Sequence, residues 1–419
     1  MGKELLVITV LVAVAILTYS LLTQNYLTYV PVITTGTKAR VVNVLRIKSA
    51  ILYQNLHSPP EGLEGAIKVI NELRPSLIWY ARQIVGVPPV PNASVAYEIA
   101  RDAGLSDYRA KLFAKWVRER AYTLRDISEE VRSVNAVYCP CILIQNFRTD
   151  FNYDPLTFKP IPKDVLKSVA LDYSKWGLPY GREATQEFFR ERLGIPNGAV
   201  FPDITNKFYQ EYVLRKVEAL KKVGVKCVWL DALFTQANIA YAITHDFNHP
   251  AVRDAYLAAY ELVKRIKELG MIVGTWSNWV RYPYREVPPV DFVTRTLSRS
   301  EVANVRINYD LWAEVTKLIR CKTNATILMV FDFGPSDDTP LAIFSQKLSP
   351  KQQRELLKQM HEVAMKLGLV PTYPVHGGCM GRNAKILSYS KYRYYDALAP
   401  QFRTYNTIKE LIHEDNRRR

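Results

Sequence analysis

Cysteine is scarce in this sequence, and its scarcity excludes one class of protein at once. Five cysteines in 419 residues are too few for a disulfide-built scaffold, and an odd number leaves at least one outside any intramolecular pair. Cys139 and Cys141 stand in a C-P-C run with no histidine nearby. Alternate residues of a strand share one face, so packing is favoured over a zinc site there. We predict no metal and no cofactor.

Several sequence motifs that mark common enzyme classes are also missing. The chain has no G-x-S-x-G, no P-loop, no H-E-x-x-H and no dinucleotide fingerprint, which disfavours esterases, nucleotide hydrolases, zinc proteases and dehydrogenases. Glycine and proline number 18 and 24, too few for a collagen-like or low-complexity chain. The hydrophobic content of 48% with 23% charged residues is that of an ordinary globular protein.

The net charge of +16 is spread along the chain instead of being concentrated in one segment. The only basic cluster is Arg417–Arg419 at the end of the chain, and terminal charges are usually solvated. We therefore predict a generally basic surface and no nucleic-acid partner. Attraction to anionic lipid head groups or acidic glycans is the alternative that this charge leaves open.

One long uncharged run, Leu5–Leu22, lies near the start of the sequence. Its 18 residues are enough to span the hydrocarbon core of a bilayer. A cleaved signal peptide and an uncleaved signal-anchor both fit, and the anchor is favoured because the run is long and no A-x-A site follows it. The sequence thus predicts an anchor over residues 1–24, a linker over 25–42 and a folded domain over 43–415.

The orientation of this domain is predicted from two opposing signals. Lys38 and Arg40 follow the span, which mildly favours a domain on the cytoplasmic side. Two glycosylation sequons, at Asn92 and Asn324, favour an outward-facing domain. We predict a membrane-anchored, extracellular domain.

From residue 43 onward, short apolar strands alternate with segments of helical periodicity. Three helix patterns end in glycine, at Gly224, Gly270 and Gly368, with a strand directly after. Longer insertions follow the second and third strands. Short helix-to-strand connections with long strand-to-helix insertions are typical of a (β/α)8 TIM barrel. An open doubly wound sheet is disfavoured because no glycine-rich loop follows the first strand. The predicted strands are 50–54, 77–80, 136–145, 225–231, 271–276, 291–295, 325–332 and 370–374.

Working residues in such barrels stand at the carboxyl ends of the strands. Amides and arginines there can hydrogen-bond hydroxyl groups, and flat aromatic rings can stack on sugars. Trp276 could equally be core, and His376 could equally be structural. The candidates for substrate binding are Gln54, Asn55, Tyr80, Arg82, Gln145, Asn146, Trp276, Asn278, Arg295, Tyr373 and His376.

Two carboxylates are predicted to end strands, Asp231 in the fourth and Asp332 in the seventh. Each follows an apolar run, where an ionised side chain must be paired, solvated or functional. Strands four and seven lie across the barrel from each other, so these residues could form the carboxylate pair that cleaves a glycosidic bond. The competing interpretation is a helix cap or an ion pair with an arginine.

Two neighbouring segments carry a family resemblance: 201–212, F-P-D-I-T-N-K-F-Y-Q-E-Y, and 217–231, which ends V-W-L-D. They resemble TIM-barrel glycoside hydrolases of the polygalactosaminidase-like group and related glycosidase-like proteins. There, a D-x-x-N-P-x-Y/W segment precedes a helix and G-V/F-D-G-I/V-x-x-D follows it. The resemblance implies that Asp203 and Asp231 lie in the cleft, with Asp231 in the catalytic place on strand four. The sequence differs from the pattern at Lys207 and at Lys226–Cys227.

Two classes of function follow from these observations. The first is a membrane-anchored glycoside hydrolase that cleaves an extracellular or envelope polysaccharide with paired carboxylates, Asp231 with Asp332 or Asp203. The second is a non-catalytic carbohydrate-binding or envelope-structural protein on the same scaffold. A second carboxylate placed beside Asp231 would distinguish the first class from the second.

Overall fold

A computed structural model describes residues 47–58, 60–193 and 195–418. The predicted membrane segment Leu5–Leu22 and the predicted linker lie outside the described residues. Within those ranges, no helix combines the length and the apolar character needed to cross a bilayer.

Eight parallel strands close into one ring, so the predicted (β/α)8 barrel is confirmed. Each barrel strand pairs with the next along the chain, and the first pairs with the last to close the ring. Two further strands, β4 and β10, add to β3 and β9 in antiparallel fashion. The strands are β1 (Ala50–Tyr53), β2 (Leu77–Gly86), β3 (Val137–Arg148), β4 (Ala199–Val200), β5 (Cys227–Asp231), β6 (Ile272–Trp276), β7 (Phe292–Thr296), β8 (Thr326–Val330), β9 (Val370–Cys379) and β10 (Tyr394–Asp396).

Helices surround the ring and fill both predicted insertions. Three of them, α2 to α4, lie between β2 and β3, and α5 and α6 lie between β3 and β4. In chain order the helices are α1 (Gly62–Leu73), α2 (Ala93–Asp102), α3 (Asp107–Glu119), α4 (Leu124–Ser133), α5 (Lys163–Ser168), α6 (Arg182–Leu193), α7 (Lys207–Lys222), α8 (Thr235–Thr244), α9 (Pro250–Glu268), α10 (Arg299–Ala303), α11 (Tyr309–Lys322), α12 (Pro340–Lys347), α13 (Pro350–Leu367) and α14 (Tyr405–Arg418). Short 3₁₀ turns occur at Tyr173–Trp176 and Ser277–Arg281.

The local signals that predicted the barrel are present in the structure. The glycines at 224, 270 and 368 have positive φ angles of 95°, 77° and 65°, the conformation that lets a helix stop and a strand start at once. Strands β2, β3 and β9 are longer than predicted. In β2 the polar residues Arg82 and Gln83 hid the continuation of the strand, because their partners are Glu130 of the insertion and Gln54, the residue after β1.

The apolar side chains form two layers, one inside the ring and one between the ring and the helices. The inner layer fills the barrel with residues on alternate strand positions, among them Leu52, Trp79, Trp229 and Leu328. Gly274 also faces this interior, where a Cβ atom would collide with the ring of Phe292. The barrel is therefore a packed core that can hold side chains rigidly at its carboxyl-terminal end, which we call the mouth.

A disulfide bond joins two neighbouring barrel strands inside this core. Cys139 on β3 is bonded to Cys227 on β5, whereas Cys141, Cys321 and Cys379 are free thiols. The C-P-C run thus supplies one disulfide partner and one packed thiol. The sequence did not predict this pairing, because the two bonded cysteines are 88 residues apart.

Thiol titration tests this pairing. We expect three reactive thiols per chain in denaturant without reductant and five after reduction. Replacing Cys139 or Cys227 by serine should leave four reactive thiols without reductant, because the former partner becomes free. Five reactive thiols in the unreduced, denatured wild type would contradict the pairing.

Lys216 of α7 is a buried lysine, and it lies 4.7 Å above the ring of Tyr212. Burial lowers the pKa of Lys216 to about 7, whereas in the unfolded chain a lysine titrates near 10.4. The unfolded state therefore binds more protons between these values, so stability should rise with pH across this window.

Replacing Lys216 by methionine is expected to abolish that dependence and to raise the free energy of unfolding at pH 7, because each pKa unit corresponds to about 1.4 kcal/mol. Urea unfolding at several pH values measures both effects. Lys222 near the end of the same helix provides the control as Lys222→Met. A Lys216→Met protein with unchanged or lower stability at pH 7 would show that the ammonium group is solvated.

Candidate functional site

Asp231 and Asp332 lie at the mouth, close enough to influence each other's charge. Asp231 ends β5, and Asp332 follows β8 by two residues. Burial raises the pKa of Asp231 to about 6. A hydrogen bond of 2.8 Å donated by Trp276 Nε1 favours the ionised form and partly offsets this rise. Burial and the charge of Asp231 raise the pKa of Asp332 to about 7. The mouth thus holds two coupled carboxyl groups with different tendencies to ionise.

Buried aromatic rings of the barrel core pack around this pair. Trp229 lies 5.3 Å from Trp276 and 5.1 Å from Trp79, measured between ring centroids. Tyr80 packs at 4.9 Å from Phe333, the residue that follows Asp332. These apolar faces remove water from the carboxyl groups, which is the physical cause of their raised pKa values.

The backbone is in a left-handed conformation at three positions where barrel strands reach the mouth. Asn55, Tyr80 and Ala232 have φ angles of 59°, 60° and 57°. Such conformations cost energy for residues with a side chain, and they cluster at binding and catalytic sites. Ala232 directly follows Asp231, so this strained turn fixes the direction of the carboxyl group.

Gln54 is held in place by the backbone of β9. Its side-chain Oε1 accepts a hydrogen bond of 2.9 Å from the backbone N–H of Gly378. The backbone N–H of Gln54 donates a hydrogen bond of 2.9 Å to the carbonyl oxygen of His376. A Cβ atom at Gly377 would collide with Gln54, so glycine is required for this approach. Gln54 therefore closes the seam between β1 and β9.

Arg82 was predicted to bind substrate, and the structure contradicts this. Its guanidinium group is 2% exposed and donates hydrogen bonds to the Glu130 carboxylate and to the carbonyl groups of Arg120 and Ala121. Glu130 also accepts hydrogen bonds from Tyr138 and from His57. Arg82 thus joins β2 to the inserted helix α4 and is not available to a ligand.

Glu130 is the centre of this buried network and was not found in the sequence. Burial alone would raise its pKa, but the charge of Arg82 and the hydrogen bonds from His57, Arg82 and Tyr138 outweigh burial and hold the pKa of Glu130 below its ordinary value. In the sequence, Glu130 stands in the run S-E-E-V-R, where it resembles any other charged residue of a helix. The only available signal was its place on the apolar face of α4.

Tyr373 is buried outside the ring, contrary to its prediction as a substrate contact. Its hydroxyl group lies 2.9 Å from His361 Nδ1 on α13. The prediction placed it at the end of a strand, but β9 continues to Cys379 and Tyr373 occupies a position that faces the helices.

Arg295, another predicted substrate contact, lies on the face of β7 that is turned toward the helices. It pairs in register with Met329 of β8, which faces the layer between sheet and helices. The neighbouring residues Thr294 and Thr296 therefore occupy the alternate face of β7.

His376 is structural in its contacts. Its Nδ1 lies 2.7 Å from Asp396 Oδ2 on β10, and its ring lies 5.0 Å from that of Tyr53. The side chain is 5% exposed. It therefore ties β10 to the barrel wall.

Three amides at the mouth are only partly buried: Gln145, Asn146 and Asn278. The Oδ1 atoms of Asn146 and Asn278 are buried and have no hydrogen-bond partner among the described residues. A buried acceptor without a partner costs free energy, and a ligand hydroxyl group could satisfy it. These two residues keep their prediction as substrate contacts, together with Asn55, Gln145 and Trp276. Tyr80 is 4% exposed and packs against Trp229 and Phe333, so it belongs to the buried aromatic cluster.

Asp203 is held in a network of its own. It accepts hydrogen bonds from Lys175, from Gln236 Nε2 at 3.0 Å and from Thr205 at 2.8 Å. These contacts stabilise the turn that precedes α7. They favour a structural role for Asp203 and leave Asp332 as the partner of Asp231.

No family model matches this sequence, and no curated protein sequence matches it. Structure comparison finds similarity to trehalose-6-phosphate hydrolase TreA of Bacillus licheniformis, at 10% identity over 88% of this chain and 83% of that one, with a TM-score of 0.47. It also finds Amy13B of Eubacterium rectale, at 14% identity over 87% and 76% of the two chains, with a TM-score of 0.48. The glycoside hydrolase domain of PelA from Pseudomonas aeruginosa is 10% identical over 70% of this chain and 95% of that one, with a TM-score of 0.33.

Proposed function

We propose that this protein is a glycoside hydrolase that cleaves O-glycosidic bonds with Asp231 and Asp332. The observation that carries the proposal is the pair of desolvated carboxyl groups at the barrel mouth, with raised pKa values of about 6 and about 7. Two carboxyl groups on either side of the scissile bond are what this reaction requires. The partly exposed ring of Trp276 and the amide oxygens of Asn146 and Asn278 fit a ligand with flat apolar faces and many hydroxyl groups.

The two carboxyl groups are assigned different roles by their surroundings. Asp332 has the higher pKa and lies beside the charge of Asp231, so it is the group that stays protonated and donates a proton to the leaving oxygen. Asp231 accepts a hydrogen bond from Trp276, which favours the carboxylate that acts as base or nucleophile. Water then completes the cleavage: its hydroxyl group adds to the anomeric carbon, and its proton goes to a carboxylate of the pair, Asp231 if it acts as base or Asp332 if Asp231 acts as nucleophile.

A bell-shaped pH dependence of kcat/KM is expected, with its maximum between about 6 and 7. Activity should fall as the pH drops and Asp231 becomes protonated, and it should fall again as the pH rises and Asp332 loses its proton. Initial-rate measurements over this range test the assignment. A rate that stays constant well above pH 8 would contradict a protonated Asp332 as the acid.

The proposed substrate is an extracellular or envelope polysaccharide, and we place the domain on the outer side of the membrane. Both glycosylation sequons are at exposed asparagines, Asn92 and Asn324. The disulfide between Cys139 and Cys227 supports an oxidising compartment. Protease added to intact cells should digest the domain, and protection until the membrane is opened would contradict an outward location.

A panel of purified polysaccharides tests the function itself. The wild-type protein should release new reducing ends from at least one polymer, and the Asp231→Asn protein should not. Binding of a polymer by both proteins without cleavage by either would favour the second function class, a carbohydrate-binding protein on a barrel scaffold.

A further inference from the structure

A second group of ligand-type atoms lies at the rim of the mouth, apart from the carboxylate pair. His57 follows β1, and Asp126 and Glu129 lie one turn apart on α4. One ring nitrogen of His57 and one oxygen from each carboxylate lie within 4.8 Å of one another. An imidazole and two carboxylates are ligands that a divalent transition-metal ion accepts.

The orientation of His57 is fixed by a group outside this set. Its Nδ1 lies 2.7 Å from Oε1 of Glu130, a carboxylate that is fully buried and held by Arg82 and Tyr138. In the neutral imidazole tautomer with its proton on Nδ1 toward this carboxylate, Nε2 is the nitrogen that can bind a metal. A histidine that binds a metal through one ring nitrogen usually donates a hydrogen bond from the other nitrogen to a carboxylate.

The carboxylates of Asp126 and Glu129 are also free to accept an ion. Oδ2 of Asp126 accepts hydrogen bonds of 3.0 Å from Thr123 N and 2.6 Å from Thr123 Oγ1, which fixes the side chain and leaves Oδ1 available. Glu129 is exposed, so it can move toward an ion at little cost.

We propose that His57, Asp126 and Glu129 form a binding site for a divalent ion of the zinc type. Three protein ligands leave a position for water, as in sites that are not fully closed. The ion joins the segment after β1 to helix α4 of the insertion. It therefore stabilises the rim beside the proposed active site, and its binding does not depend on the proposed hydrolase activity.

Zinc binding to the chelator-treated, dialysed protein tests this site. We expect one zinc ion per chain by metal analysis after addition of zinc chloride and removal of the excess, and a higher melting temperature with zinc than with chelator. Both readouts are independent of glycan cleavage, so failure here and failure of the hydrolase proposal are distinguishable.

Two variants and one control locate the ion. Glu129→Gln removes an exposed ligand without touching the buried network, and we expect zinc affinity to fall at least about tenfold. His57→Gln should do the same, with the added loss of a Glu130 contact. Glu119→Gln, at a similarly exposed position on α3, should bind as the wild type does. No zinc bound by the wild type, or equal affinity in the Glu129→Gln protein, would overturn the proposal.

Discussion

Replacing Asp231 by asparagine is expected to lower kcat on a cleavable glycan by more than a hundredfold while the protein stays folded. Loss of general acid–base help alone costs about a hundredfold to ten-thousandfold, and loss of a nucleophile costs more. The substitution keeps the size of the side chain and removes the charge. It should also lower the pKa of Asp332, because the charge of Asp231 contributes to raising it.

Two matched substitutions complete this test. Asp332→Asn should produce a loss of similar size, and Asp203→Asn should affect stability more than rate, because its contacts are to Lys175, Thr205 and Gln236. Melting curves separate the two kinds of effect. Full activity in the Asp231→Asn protein would remove this residue from the reaction, and a folded, inactive Asp203→Asn protein would restore Asp203 as the partner.

The second large effect is expected on stability, at Glu130. Glu130→Gln should lower the free energy of unfolding by roughly 3–5 kcal/mol, because it leaves the buried guanidinium group of Arg82 without its counter-charge. Urea unfolding measures the change. Glu129→Gln is the adjacent exposed control and should have little effect when a chelator is present.

A double-mutant cycle separates the energy of the Arg82–Glu130 ion pair from the contributions of the two side chains alone. Arg82→Met should also destabilise the protein, and the double variant Arg82→Met with Glu130→Gln should lose less than the sum of the single losses. Additive losses would mean that the two side chains contribute independently and that the ion pair is not the stabilising element.

Much of the fold could be predicted from the sequence because its signals are local. Apolar runs mark the eight strands, and the glycines at 224, 270 and 368 mark three of the junctions at which a helix ends and a strand begins. The strand-ending position of Asp231 was read from the same pattern and agrees with the structure. Asp332 was predicted to end its strand, whereas β8 ends two residues earlier, at Val330.

The parts that could not be predicted depend on contacts between distant segments. Arg82 was assigned to the cleft from its place after a predicted strand. Its partner Glu130 is 48 residues away, and no periodicity connects the two. Tyr373 was assigned to the cleft because the continuation of β9 to Cys379 was not recognised. The strained φ angles of Tyr80 and Ala232 have no sequence signal in residues that are not glycine.

Hydrolysis in heavy-oxygen water tests the central claim most directly, because water must enter the product at the cleaved bond. The wild-type protein should place one heavy oxygen atom at the anomeric carbon of each new reducing end, detected by mass spectrometry of the released oligosaccharides. The Asp231→Asn, Asp332→Asn double variant should bind the same polymer and release no labelled product. Labelled product at the wild-type rate from the double variant would contradict the role of this carboxylate pair.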